Sequence, residues 1–241
     1  MSAPTYAVID QGNSRTKIGF FRDNALIHTI SHAELNHESI NALLKEHHVD
    51  AIMYSSVVSE SHETPAIQGA YRVIKFRPEL KLPIVLGYRN NDTMGSDRIA
   101  AAAGLLTYTG PHRVAIDFGT CTTITILEQN TIINGSISPG RWMRYRALHE
   151  YTGRLPLVHP LEELTTTKAE TTNETIHNGV SLASALEIEQ LLHQLLNGKM
   201  PDSVVITGGD HPFFERHLKT PNFADPHLVL KGLHAILLEN I

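Results

Sequence analysis

Cysteine is all but missing: Cys121 stands alone among 241 residues, so no intramolecular disulfide can close, and no C-x-x-C pair offers a zinc site. Long apolar runs are missing too. No stretch approaches the roughly 20 apolar residues that cross a bilayer, and the opening MSAPTYAVID has no charged segment leading into an apolar one. Both absences predict a soluble, cytoplasmic chain with no membrane partner. Basic clusters are scarce: 20 Lys and Arg face 25 Asp and Glu, a net charge of −5, which argues against a nucleic-acid partner. Histidine is plentiful, but His28, His32, His37, His47, His48 and His62 fall in polar or turn-like segments without H-x-x-x-H spacing, so structural or surface roles are expected of them. Apolar content is ample. At 41% it can pack one large core or two modest ones.

A repeat organises the chain. Asp10, Gly12 and Thr16 of AVIDQGNSRTKIGFF are matched 107 positions later by Asp117, Gly119 and Thr123 of VAIDFGTCTTITIL. In each copy an apolar run ends in Asp, Gly opens a tight turn, and a β-branched or aromatic run follows, which predicts a β-hairpin with a polar tip. Between the copies, SINALLKEHHVD reads as a helix, AIMYSSVV as a strand, ETPAIQGAYRVI as a helix and PIVLGY as a strand. RIAAAAGLLTY reads as a helix with Ser96 as candidate N-cap. The second half repeats this grammar: strand-like segments around IINGSIS, helices in MRYRALHEYTG and GVSLASALEIEQLLHQLLNGK, the strand SVVITGG and the closing helix KGLHAILLE. An initial meander followed by alternating strands and helices predicts two α/β domains of similar topology, 1–110 and 111–241, parted at the Gly-Pro of YTGPH.

The hairpin tips suit anions. Small residues let consecutive backbone N–H groups converge, and hydroxyls follow at Ser14 and Thr120. Lys17 adds a point charge in the first tip only. Asp10 would repel phosphate unless a cation stood between, so it is expected to hold Mg²⁺ through water, and Asp117 could serve another cation. A lone D-x-G can also be plain turn chemistry; two copies in register favour the phosphate reading. VVITGG adds a strand ending where no side chain intrudes, at Gly208 and Gly209, as a purine and ribose require.

Two D-x-G hairpins and a glycine pair, in that order, resemble the phosphate-1, phosphate-2 and adenosine motifs of the actin, sugar-kinase and heat-shock ATPase superfamily. Within it, DQGNSRTK is similar to the D-x-G-N-[ST]-x-x-K of type III pantothenate kinases, and GSDR to their G-x-D-R. DFGTCTT, GSISPG, RALHEYTGRLP and TNETIHNG match further segments of that family in the same order. The resemblance implies two duplicated ribonuclease-H-like α/β domains with a nucleotide cleft between them, and transfer of phosphate from ATP to pantothenate, the first step toward coenzyme A. It implies Asp97 as the base at the substrate hydroxyl, with Gly95, Ser96, Arg98, Tyr88 and Thr172 around the substrate. ATP would be held by Asp10, Gln11, Gly12, Asn13, Ser14, Arg15, Thr16, Lys17, Thr120, Gly208 and Gly209. Asp117 corresponds to the ligand of an activating potassium or ammonium ion, and a homodimer is implied. Departures are Cys121 in place of alanine, Asn134 where glycine is frequent, and Thr175 for alanine.

Phosphoryl transfer passes through a loose transition state, so Asp97 is expected mainly to orient the hydroxyl and accept its proton late. Arg98 has two readings, a forked clamp on a substrate carboxylate or a structural partner of an acid. Cys121 is expected to act as a small buried hydrophobe rather than a nucleophile. The basic run RWMRYR suggests a subunit interface more than a single-strand nucleic-acid platform. The rival functions are a non-catalytic ATP-binding regulator of the same fold, or a kinase of another hydroxyl substrate. Loss of Asp10, Lys17 or Asp97 would mark the first; all three are present.

Overall fold

TYAVIDQ buries Ala7, Val8 and Ile9 as strand β1 (Thr5–Gln11), and TKIGFFR returns beside it as β2 (Thr16–Arg22). The computed structural model describes residues 3–33, 37–56, 67–77, 79–89, 93–164 and 167–241. Their contacts form two units, Met1–Leu106 with His227–Ile241, and Thr107–Pro226.

In the first unit β2 turns through Asp23 and Asn24, both with positive φ, into β3 (Ala25–His32). Two left-handed residues in succession match the right-handed strand twist, and Asp and Asn tolerate that conformation. Helix α1 (His37–Glu46) then leads to β4 (Ala51–Ser56), which pairs parallel to β1, and β5 (Arg72–Lys75) pairs parallel to β4. The sheet order is β3-β2-β1-β4-β5. A two-residue β6 (Val85–Leu86) and helix α2 (Ser96–Gly104) follow. On one sheet face Ile9, Ile18, Phe20 and Ile52 pack with Ile40 and Leu44 of α1.

The other face is covered by the last helix of the chain, α7 (Leu228–Leu238), which packs on α2 and crosses β1, β2 and β4. The two helices approach as closely as backbone allows. A Cβ at Gly232 would lie 1.7 Å from the carbonyl oxygen of Ala100. The division at 110/111 therefore needs amending for the closing helix: α7 completes the first unit because its apolar face, including Leu230, Leu233 and Leu237, finds its cover there.

The second unit opens with β7 (His112–Phe118), β8 (Cys121–Glu128) and β9 (Thr131–Pro139), an antiparallel meander. Helices α3 (Arg141–Glu150) and α4 (Thr172–His177) follow, the latter running through a π-turn, Asn178–Leu182, into α5 (Ala183–Leu195). β10 (Ser203–Thr207) pairs parallel to β7, α6 is His211–His217, and β11 (Phe223–Ala224) pairs parallel to β10. The order β9-β8-β7-β10-β11 repeats the strand order and directions of the first unit. Even the bulge recurs, at Phe20/Phe21 and at Ile126/Leu127. The core joins Val114, Ile116, Ile124 and Ile126 to Ile188 and Leu192 of α5 and to Phe213 and Phe214 of α6.

Three local expectations change. Of the helix expected over 63–74, residues 63–66 lie outside the described residues, and 72–74 are strand β5, extended because β4 offers them a parallel ladder that Phe76 continues by donating to the Tyr54 carbonyl at 2.7 Å. Ser96 is the first helical residue, not the cap; Gly95 stands at the N-cap without a side-chain bond. The segments around IINGSIS are one continuous strand, β9.

Candidate functional site

Both D-x-G segments form hairpin tips, each described here within its own unit. In the first, Asp10 pairs in register with Lys17 across the hairpin and with Ser55 on the parallel strand β4. Residues 12–15 make the turn, closed by the Gly12 amide donating to the Arg15 carbonyl at 3.0 Å. Asn13, Ser14 and Arg15 are exposed, Asp10, Gln11, Gly12 and Lys17 are half-buried, and Thr16 is buried.

Beneath the tip lies a network the sequence reading missed. Gln11 accepts hydrogen bonds from the Tyr54 hydroxyl and from Ser56 Oγ, the latter at 3.2 Å. Burial pushes the Tyr54 phenol above its ordinary range, against a smaller opposing effect of Ser56, so it remains a protonated donor. The signal was the small polar ending of YSS on the strand next to the tip. Ser55 donates to Ser96 Oγ at 3.0 Å, which ties the end of β4 to the start of α2.

That helix start carries the candidate acid. Asp97 is half-buried, and its Oδ1 accepts from the Arg98 backbone amide at 2.9 Å. A Cβ on Gly95 would fall 2.4 Å from that same oxygen, so glycine leaves the carboxylate its place. Arg98 is buried, donates from Nη2 to the Tyr88 hydroxyl at 2.7 Å, and holds its guanidinium carbon 5.3 Å from the Tyr88 ring centre. Gly95, Ser96, Asp97, Arg98 and Tyr88 are thus brought together, with Arg98 held by the Tyr88 hydroxyl.

In the second unit Asp117 pairs in register with Thr123 across its hairpin and with Thr207 on β10. The strand returns one residue sooner than in the first tip, so Thr123 occupies the cross-strand place that Lys17 has opposite Asp10. The sequence match of Thr16 to Thr123 hides this shift. Gly208, at φ +90°, packs so closely that a Cβ would meet Asp117 Oδ1 and the Phe118 carbonyl carbon, each at 2.4 Å. Space beside Gly209 is open. Asp117, Gly208 and Gly209 therefore converge, and the Asp210 amide donates to the Phe118 carbonyl at 3.0 Å. Thr120 is exposed on the same turn, with its carbonyl accepting from the Gly140 amide at 3.1 Å.

Thr172 stands on a separate element, as the first residue of α4, and is exposed. Thr171 before it forms a capping box with Glu174, whose carboxyl is held below its ordinary range chiefly by the Glu170 amide, then by the Thr171 hydroxyl and amide. Cys121 is exposed, contrary to the buried role expected of it, because it opens β8 at the tip of the turn. Within the RWMRYR run Arg141 and Tyr145 are buried, Trp142 and Met143 are exposed, and Arg144 forks onto Glu187 at 2.6 and 2.9 Å. Among the described residues no group of three or more His, Cys, Asp or Glu could hold a metal by itself, and no helix is long and apolar enough to cross a membrane.

A family model described as Type III pantothenate kinase matches residues 7–194. The Type III pantothenate kinase of Cytophaga hutchinsonii is 35% identical over 236 residues, spanning 97% of this chain and 99% of the relative. Among solved structures, a conserved Campylobacter jejuni protein named for the Baf family of transcriptional activators matches with a TM-score of 0.64 at 21% identity, over 97% of this chain and 98% of its own. MreB5 of Spiroplasma citri, bound to ADP, matches with a TM-score of 0.51 at 14% identity, over 99% of each chain. At such identities these structures speak to the fold, a mixed α/β fold with two sheets.

Proposed function

Because the chain belongs to the type III pantothenate kinase family, we propose that it transfers the terminal phosphoryl group of ATP to the hydroxyl of pantothenate, giving ADP and 4′-phosphopantothenate. The observation that carries the site assignment is the placing of Asp97 in the first turn of α2, with its carboxylate accommodated by Gly95 and held by the Arg98 amide. The two units act in this reading as duplicated ribonuclease-H-like domains with the nucleotide in a cleft between them. The repeated strand order supports the duplication.

Each residue then has a physical task. The amides that follow Gly12 in the turn with Ser14, and the turn carrying Thr120, take phosphate oxygens, and Lys17 offsets their charge. Gly208 lets the turn close on Asp117 and Phe118, and Gly209, open on its side-chain face, leaves room for the nucleoside. Asp97 accepts a hydrogen bond from the attacking hydroxyl, aligns its lone pair and takes the proton as the new P–O bond completes. Arg98, anchored on Tyr88, suits the pantothenate carboxylate as a preset fork, and Thr172 is assigned to the same substrate.

Asp10, half-buried at the tip, would hold magnesium through water, and the ion would supply charge neutralisation at the phosphates. Potassium or ammonium is assigned to Asp117, where a single Cβ at Gly208 would fill the space beside Oδ1. A homodimer completes the reading, on family resemblance.

An ADP-release assay offering pantothenate, glucose and acetate in turn tests the substrate. Turnover is expected with pantothenate alone. Asp97→Asn should cut kcat by roughly 10²–10⁴; full turnover by that variant would remove the assigned base.

A further inference from the structure

The first residue of α3 points the RWMRYR motif at the glycine pair. Arg141 lies with its side chain only 5% exposed, Nη2 bound to Asp210 Oδ1 at 3.0 Å and Nη1 donating to the Leu161 carbonyl at 2.9 Å. Its guanidinium carbon sits 4.0 Å from the centre of the Phe213 ring. Nε is buried with no hydrogen-bond partner, so the group is held by its two ends and its face rather than satisfied all round.

Both ends of this contact are fixed to proposed nucleotide turns. Gly140, just before Arg141, donates to the Thr120 carbonyl, and a Cβ there would lie 2.4 Å from the carbonyl oxygens of Gly119 and Thr120, so α3 begins pressed against the β7–β8 tip. Asp210, at the other end, follows Gly208 and Gly209 directly and donates its amide to the Phe118 carbonyl. Residue 141 therefore links the two turns, its backbone following Gly140 at one and its guanidinium bound to Asp210 at the other. It also lines a cavity of about 270 Å³ with Glu162, Gly209, Asp210, Phe213 and Arg216.

The chemistry of this cavity selects its occupant. Arg141 and Arg216 balance Glu162 and Asp210 around it, so the lining carries no net positive charge to hold a polyphosphate; Phe213 is buried, with Arg141 and His217 stacked on its ring, and the flat Arg141 guanidinium beside a polar rim suits a flat, neutral heteroaromatic ring with donors and acceptors on its edge. We propose that Arg141 is a positioning residue for the nucleotide: by bracing Asp210 and Phe213 it shapes the seat of the base, and it acts on the base rather than on the phosphates. The inference rests on the ATP reading above and adds to it a residue outside the glycine and aspartate motifs.

The test compares binding of magnesium ATP with magnesium tripolyphosphate, which lacks base and ribose, in full-length wild type and in Arg141→Leu, Arg141→Lys and Asp210→Asn variants, with thermal midpoints alongside. Arg141→Lys retains a cation and Asp210→Asn retains the guanidinium, so a folded variant remains if the leucine fails to fold. The expected result is a loss of about tenfold or more in ATP affinity and a comparable rise in KM for ATP, with tripolyphosphate affinity and KM for pantothenate unmoved. Equal losses for ATP and tripolyphosphate, a parallel rise in KM for pantothenate, or unchanged ATP affinity in folded variants would each overturn the proposal. Wild-type protein that binds neither probe would instead overturn the nucleotide reading on which it stands.

Discussion

His234 offers the sharpest quantitative test of the first unit's core. It sits on α7 at 4% exposure, stacked on Phe21 with ring centres 4.1 Å apart and near Tyr6 at 5.9 Å, and its Nε2 has no hydrogen-bond partner. Burial alone pushes its pKa from 6.5 down to about 4. The unfolded chain therefore binds a proton near pH 6.5 that the folded chain refuses until about pH 4, and stability contributed by this site is full above the first value and lost as pH falls toward the second. At 1.36 kcal/mol per pKa unit, the loss approaches about 3 kcal/mol at the acid end. Carboxyls held below their ordinary range, Glu174 and Glu187 among them, also lose stabilisation on the acid side. The comparison must accordingly be with a variant. His234→Phe keeps a ring against Phe21 and removes the proton site; urea unfolding of both proteins from about pH 7.5 to about pH 4.5 should give curves that diverge, the variant retaining roughly 2–3 kcal/mol more of its neutral-pH stability. An overpacking cost from the larger ring would offset the whole variant curve without changing its slope. Parallel curves would refute the argument that burial holds this imidazole neutral.

Further outcomes follow from close contacts and charge. Gly232→Ala should lower stability by about 3 kcal/mol, or roughly 6–12 °C in Tm, since its Cβ would start 1.7 Å from the Ala100 carbonyl oxygen; an unchanged melting curve would mean that α2 and α7 do not cross so tightly. Turnover should be higher in potassium or ammonium than in sodium, and Asp117→Asn should erase that difference; equal rates for the wild type in all three salts would remove the cation from Asp117.

The hairpins were legible because their information is local. A strand must end where Asp-x-Gly permits a turn, and the return strand must be apolar again, so Asp10 and Asp117 could be placed at tips from spacing alone. Registers were less so: the second tip is one residue shorter, and only the ladder shows that Thr123, rather than its successor, faces Asp117. β5 was misread as helix because RVIK has no pattern of its own and takes its form from β4. Cys121 and Arg141 failed in opposite senses. A thiol was expected inside and lies exposed at a turn, while an arginine expected at a surface is buried because Asp210, distant by 69 residues, neutralises it. Motif spacing located the Asp97 cluster, yet nothing in it announced the Gln11–Tyr54–Ser56 support, which depends on neighbouring strands.

The return of α7 to the first sheet has a temporal consequence. During synthesis the segment bearing Asp10 and Lys17 emerges early, but one side of its sheet lacks a cover until residues 228–238 leave the ribosome, after the whole of the second unit. Until then Val8, Phe21 and Met53 have no apolar shield from that helix, so strands made before the second unit reach their finished packing only after it.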